Sequence, residues 1–161
     1  MSGIHRVPHP INDPVRGYRP GSPERQSIKN QLQSMSGEKI DIPLLIGGKE
    51  VRTGETGTQV MPHRHQHVLA TWHKAGVQEA EMAIAAARQA HREWSNWKFE
   101  DRAAVFLKAA DLLTTTWRDK LNGSTMLCQS KTVHQAEIDS ACEMVDFLRF
   151  NVYFAERILS E

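Results

Sequence analysis

KTVHQAEIDSACEMVDFLRFNVYFAERILSE, residues Lys131–Glu161, is the stretch whose reading decides the fold. It predicts one long helix beginning near Thr132. With residues 100° apart around the axis, Ala136, Glu143, Phe147, Phe150 and Phe154 share a narrow sector. Ile138, Ala141, Val145, Leu148, Val152, Ala155 and Leu159 form a second stripe on the opposite side. A helix between one core and water needs a single stripe, so two stripes place this one between layers. Glu143 lies inside the aromatic stripe, where a charge is costly unless a cation meets it. The sequence ends at Glu161, and the expectation is a closing helix shaped to be covered by material encoded elsewhere.

Working outward, 161 residues suit one domain, since domains commonly run to roughly 100–150 residues. A hydrophobic fraction of 40% with 24% charged residues is globular rather than disordered in character. A formal net charge of +1 offers no field for nucleic acid or an anionic membrane surface. No stretch approaches the roughly 20 apolar residues that cross a bilayer. Residues 1–20 lack the apolar run of a signal peptide, and prolines at 8, 10, 14 and 20 argue against an amphipathic presequence. Cys128 and Cys142 are too few for a disulfide framework and read as small structural thiols. The expectation is a soluble chain of a reducing compartment, cytoplasmic rather than mitochondrial, with no nucleic-acid or membrane partner.

Residues 1–21 carry no periodicity and read as an extended arm. Ser22-Pro23-Glu24 is a helix start: a capping hydroxyl, a proline suited to the first turn, and an acid at the positive end of the dipole. Ile28, Leu32 and Met35 give that helix an apolar edge, and Gly37 ends it. Ile42–Ile46, Gly47-Gly48 and Lys49–Arg52 spell a hairpin. Thr58–Met61 and Val68–Trp72 make a second strand pair, joined through Pro62–His67. Helices are predicted over Val77–Trp94, with Ala80, Ile84, Ala87 and Trp94 on one side, and over Phe99–Thr115, with Val105, Phe106, Ala109, Leu112 and Leu113 buried. A weaker one covers Trp117–Gln129, interrupted at Gly123 and facing inward through Leu121, Met126 and Leu127. Hairpins therefore come first and helices after, with no strand–helix–strand alternation to build a nucleotide-binding sheet.

Candidate chemistry is sparse. His63, His65 and His67 alternate and would project from one face of a strand, yet no nearby Cys or acidic cluster completes a metal site, and a polar turn is the plainer reading. Gly47-Gly48 is followed by a strand-like segment rather than a helix, against a phosphate loop. A reactive Cys128 or Cys142 would need a base or a helix N-terminus, and Cys128 lies late in its helix. Glu143 carries two readings: an acid at the helix edge in solvent, or a buried acid beside Phe147 and Phe150 awaiting an ammonium or iminium group.

The stretches NDPV (Asn12–Val15), GSPER (Gly21–Arg25), IPLLIGGKEVRT (Ile42–Thr53), HQHVLAT (His65–Thr71), EDRAAVFLKAADLL (Glu100–Leu113) and Gln129–Phe154 resemble one known family. It is the pyrroline-5-carboxylate (L-glutamate γ-semialdehyde) dehydrogenase branch of the aldehyde dehydrogenase superfamily. The resemblance spans nearly the whole chain but only about the first third of such an enzyme. It implies the N-terminal part of an α/β aldehyde dehydrogenase fold, mostly helical here, with four to five helices, antiparallel hairpins and no complete Rossmann sheet. Residues 1–21 are the arm and residues 22–161 the helical and hairpin part. It further implies a reaction in which a cysteine thiolate attacks the aldehyde, hydride passes to NAD, and a glutamate-activated water releases glutamate, in proline catabolism. The Gly-Gln-x-Cys nucleophile context, the general-base glutamate and the cofactor glycine motif have no match in this sequence. No catalytic residue, metal or NAD binding is therefore expected of the chain alone. Cys128 departs from the glycine such enzymes carry there. Glu143 matches the family glutamate that contacts the substrate amino group, and Phe147 and Phe150 are expected to shape the same substrate pocket. The expected partner is the downstream portion of the enzyme, in cis or in trans. The competing reading is a stand-alone helical interaction module docking through the Phe147/Phe150/Phe154 stripe.

Overall fold

Ser22 opens the first helix as its sequence implies: its hydroxyl accepts the Arg25 N–H at 3.2 Å, and Pro23 occupies the first turn. The computed structural model describes residues 6–161, so the first five residues of the expected arm lie outside it. Helix α1 (Pro23–Gly37) is followed by strands β1 (Ile40–Ile42), β2 (Leu44–Ile46), β3 (Lys49–Val51), β4 (Thr56–Met61) and β5 (Arg64–His73). Helices α2 (Val77–Trp94), α3 (Phe99–Thr114), α4 (Arg118–Gln129) and α5 (Val133–Ala136) come next. A π-helical segment (Glu137–Cys142) then runs directly into α6 (Glu143–Ser160).

The expected strand Ile42–Ile46 is split at Pro43, which has no N–H to donate to a ladder. On one side of the break, β2 and β3 form the glycine-turn hairpin, with Gly47 and Gly48 at φ 57° and 76°. Both central residues in the left-handed region is what such a two-residue turn requires. On the other side, β1 pairs in parallel with β5 through Ile40↔Ala70 and Ile42↔Trp72, a pairing absent from the expected set of antiparallel hairpins. β5 pairs antiparallel with β4, giving the order β1-β5-β4. The turn between them is only Pro62-His63, so the expected loop Pro62–His67 is mostly strand.

Three helical expectations are corrected. Gly123 does not interrupt α4; it is buried, and a Cβ there would meet Met35 Sδ at 3.1 Å, so its lack of a side chain lets α1 approach. Leu127 of α4 joins Met61 and Leu69 in a small core flanked by Leu32, Met35 and Cys128, while Leu121 and Met126 are half-buried. In α3 the buried residues are Ala103 and Ala110, small enough to admit α6, whereas Val105, Phe106 and Leu112 are exposed. In α2 nothing is fully buried: Ala80, Ile84 and Ala87 are exposed, and of the four residues expected inside only Trp94 is half-buried, near Trp97 and Phe106.

The terminal helix is also not one ideal helix. Thr132 and Gln135 cap α5 reciprocally, Thr132 N–H donating to Gln135 Oε1 at 2.9 Å and Gln135 N–H to Thr132 Oγ1 at 3.3 Å. In the π segment the ladder widens, and the Glu143 N–H reaches back five residues to the Ile138 carbonyl. One extra residue in the turn rotates everything before it relative to everything after it. Ala136 is therefore fully buried rather than in the aromatic stripe, and Ile138 is 41% exposed rather than in the opposite one. After the π segment the 100° spacing holds, with Val145 and Val152 buried.

Beneath the π segment lies a buried ionic cluster that ties the arm to the helices. Arg118 is 1% exposed. It pairs with Asp13 and Glu137, and donates to the Pro14 carbonyl at 2.9 Å, Thr114 Oγ1 at 3.1 Å and Cys142 Sγ at 3.3 Å. Glu137, fully buried, also accepts the Arg16 N–H (2.7 Å), the Tyr18 hydroxyl (2.8 Å) and Asn122 Nδ2 (2.7 Å). Asp13 accepts from Thr114 Oγ1 at 2.7 and 2.8 Å and from Arg149 Nη1 at 2.9 Å. Two carboxylates thus face two guanidinium groups, as buried charge demands. Burial alone would raise both carboxyls. For Asp13 the donors Thr114, Arg118 and Arg149, and for Glu137 the donors Arg118, Arg16, Tyr18 and Asn122, outweigh it and hold each below its ordinary value. Burial, with Glu137 as acceptor, pushes the Tyr18 phenol up.

Replacing Arg118 by Met should cost about 3–5 kcal/mol, because it leaves Glu137 buried without a counter-charge and Asp13 with Arg149 alone. Urea unfolding is the measurement. Depressed carboxyls contribute stability that is present above their unfolded pKa and lost as pH falls through the folded one. The urea midpoint should therefore drop as pH is lowered below about 4, and that acid-dependent component should be smaller in the R118M variant.

Candidate functional site

The π segment delivers α6 so that Glu143, its first residue, stands at one end of an open groove of about 510 Å³. One turn and two turns on, Phe147 and Phe150 form its apolar wall, extended by Phe154 against Phe150 with ring centroids 6.3 Å apart. Ile138 closes the near side, where the shifted phase of the π segment has placed it. The structure thus brings together all three residues expected to recognise substrate, Glu143, Phe147 and Phe150. It differs on burial: Glu143 is exposed and Phe147 is 57% exposed. The buried acid of this helix is Glu137 instead.

Three carboxylates border the groove, and two are engaged. Asp139 pairs with Lys131 at 2.7 Å. Asp146 accepts the Asp13 N–H on one oxygen at 2.6 Å and Asn12 Nδ2 on the other at 2.7 Å. Glu143 makes no hydrogen bond or ion pair among the described residues. Among those residues no cation lines the groove. The arrangement suits a small molecule with a positive group at one end and an aliphatic body against phenylalanine.

Behind this groove, on the other flank of α6, a second one of about 480 Å³ runs between α3 and α6. Phe147 belongs to both, so an apolar surface wraps around α6. Arg102 lines the second groove with its Nε buried and unpartnered among the described residues.

The remaining candidates fall out differently. His63 Nδ1 lies 2.7 Å from Ser130 Oγ, and His67 Nε2 lies 2.8 Å from the Ser36 carbonyl. Among the described residues no group of three or more His, Cys, Asp or Glu is gathered for a metal. Burial pushes both thiols up; at Cys142 it outweighs the nearby Arg118. Neither is poised as a nucleophile. What the sequence reading missed is the set Asp13, Tyr18, Arg118, Asn122 and Glu137. Only Glu137 left a signal: it lies 100° from Ala136, at the edge of the second apolar stripe.

Comparison with known proteins places these features. A model of the aldehyde dehydrogenase family matches residues 50–161. A mitochondrial delta-1-pyrroline-5-carboxylate dehydrogenase of Dictyostelium discoideum is 44% identical over 96% of this chain, which covers 28% of that protein. The delta-pyrroline-5-carboxylate dehydrogenase of Mycobacterium tuberculosis, solved with NAD, superposes with TM-score 0.96 at 48% identity, over all of this chain and 30% of that one. A Thermus 1-pyrroline-5-carboxylate dehydrogenase with bound NAD gives 0.87 at 31% identity, over 94% and 29%. This chain spans under a third of the length of the curated relatives it matches.

NAD does not fit the residues present. The only parallel pairing among them is the three-residue register of β1 with β5. The helix after β5 has its N-terminus occupied by the Glu79 carboxylate, which accepts the Gly76 N–H at 2.7 Å and would repel a pyrophosphate. Gly47-Gly48 turns a hairpin rather than opening a helix. Neither of these two elements offers free N–H groups to a pyrophosphate. No helix there is long and apolar enough to cross a membrane. With its family model matched over most of its length and its backbone superposing end to end on a solved relative, this chain belongs to the aldehyde dehydrogenase family.

Proposed function

We propose that this chain is the N-terminal segment of an NAD-dependent dehydrogenase that oxidises L-glutamate γ-semialdehyde, formed from 1-pyrroline-5-carboxylate, to L-glutamate in proline catabolism. Its part in that reaction is recognition: Glu143 receives the substrate's amino group, and Phe147 and Phe150 line the aliphatic body. The observation that carries this reading is the free carboxylate of Glu143, the one acid at the groove without a partner among the described residues. The relatives and their names support the substrate class.

Electrostatics say what else the site needs. A carboxylate and an ammonium 4 Å apart gain about 1 kcal/mol in water and about 4 kcal/mol at an effective dielectric near 20. An exposed Glu143 recognises little until water is excluded. The remainder of the enzyme is our choice of cover, meeting the outward face of α2 and the exposed aromatics of α6. Nucleophile, base and NAD site belong to that remainder. The free thiols fit a reducing compartment, in our reading the cytoplasm.

In the full-length enzyme Glu143→Gln should lower kcat/KM for the semialdehyde by about 1–3 kcal/mol, or roughly 5- to 150-fold, because volume is kept and charge removed. Unchanged efficiency would return Glu143 to the status of a surface acid. The 161-residue chain mixed with substrate and NAD should produce no NADH above background; turnover would overturn the assignment of chemistry to the remainder. Size-exclusion chromatography with the downstream portion tests the competing reading. Restored activity on mixing supports a dehydrogenase segment, and a stable dimer indifferent to that portion supports an interaction module.

A further inference from the structure

The arm grips the terminal helix at the start of its π segment and again beyond its end. At its first residue, the Arg16 N–H and Tyr18 hydroxyl hold Glu137 at 2.7 and 2.8 Å. After it, Asn12 Nδ2 and the Asp13 N–H hold Asp146 at 2.7 and 2.6 Å, and Asp13 Oδ1 takes Arg149 Nη1 at 2.9 Å. A π turn is where a helix can exchange one hydrogen-bond register for another, rotating the downstream turns by about 100° per residue gained or lost. Glu143 is the first residue after that turn. Asn12 itself borders the groove, and without its amide Asp146 keeps only the Asp13 N–H, leaving its other oxygen to compete for the same cation.

We infer that Asn12 and Asp13 are positioning residues for Glu143: the arm fixes the rotation of α6 through Glu137, Asp146 and Arg149, and keeps both oxygens of Asp146 engaged at the groove's border. Asp13 anchors by its buried pairing with Arg118, whereas Asn12 acts at the surface, where its replacement leaves the core intact. The inference rests on the reading of Glu143 as the ammonium contact, and its test separates the two.

The test is Asn12→Ala in the full-length dehydrogenase, with L-glutamate γ-semialdehyde and with a simple aliphatic aldehyde lacking an amino group. KM for the semialdehyde should rise roughly tenfold with kcat within about twofold. The simple aldehyde should be unaffected, and Asn12→Ala should add nothing in a Glu143→Gln background. Equal loss on both aldehydes, or an unmoved KM, overturns the inference. Should Glu143→Gln itself be silent, the substrate reading fails, and positioning is then judged by amide hydrogen exchange alone. Faster exchange across residues 137–146 in Asn12→Ala supports it, and unchanged exchange overturns it.

Discussion

One guanidinium holds this segment together. Arg118 sits at the start of α4 with Asp13 of the arm on one side and Glu137 of the π segment on the other, out of contact with water. Desolvating such charges offsets much of their mutual attraction, so the cluster adds little net stability over an apolar core of the same shape. Its consequence is geometric. Only one placement of the arm satisfies Arg118, Glu137, Asp13, Tyr18 and Asn122 together, and any other leaves a charge buried and unmatched.

The rest of the site is built on that constraint. The arm is laid across α6, and α6 leaves the π segment in a single rotational phase. Ile138 and Glu143 then share a groove with two phenylalanines, while Ala136 turns inward against α4. The π segment is what lets one helix carry a buried acid at Glu137 and an exposed one at Glu143. A regular helix would place the two 600°, or 240° after full turns, apart; the added residue changes that angle, and the arm holds the result. A carboxylate placed like Glu143 attracts a cation weakly in an open groove and more strongly once the groove is covered. The exposed faces of α2 and α6 are where a covering layer has apolar surface to bury.

Much of the fold was legible because local rules sufficed. Ser22 and Pro23 begin α1, Gly47-Gly48 turns the hairpin, and Val77–Trp94 matches α2 residue for residue. The grouping of Glu143, Phe147 and Phe150 was legible because all three lie after the π segment, where spacing of 100° applies. Ala136 and Ile138 were misplaced because one widened turn separates them from that frame. The buried side of α3 was misread because large apolar residues were assumed to lie inside. The close approach of α6 instead selected Ala103 and Ala110, and the larger side chains became the rim of a groove.

By itself the sequence determined where helices start, which turn can reverse on two glycines, and which family pattern the chain carries. Those depend on neighbours within a few residues or on a linear string of motifs. Only the tertiary structure decided that Asp13, Arg118 and Glu137 meet, that β1 runs parallel to β5, and that Asp146 is held by the arm while Glu143 is not. Each of those depends on residues far apart in the chain being folded into contact. Coulombic and hydrogen-bond energies are set by distance in space, and spacing along the chain does not encode it.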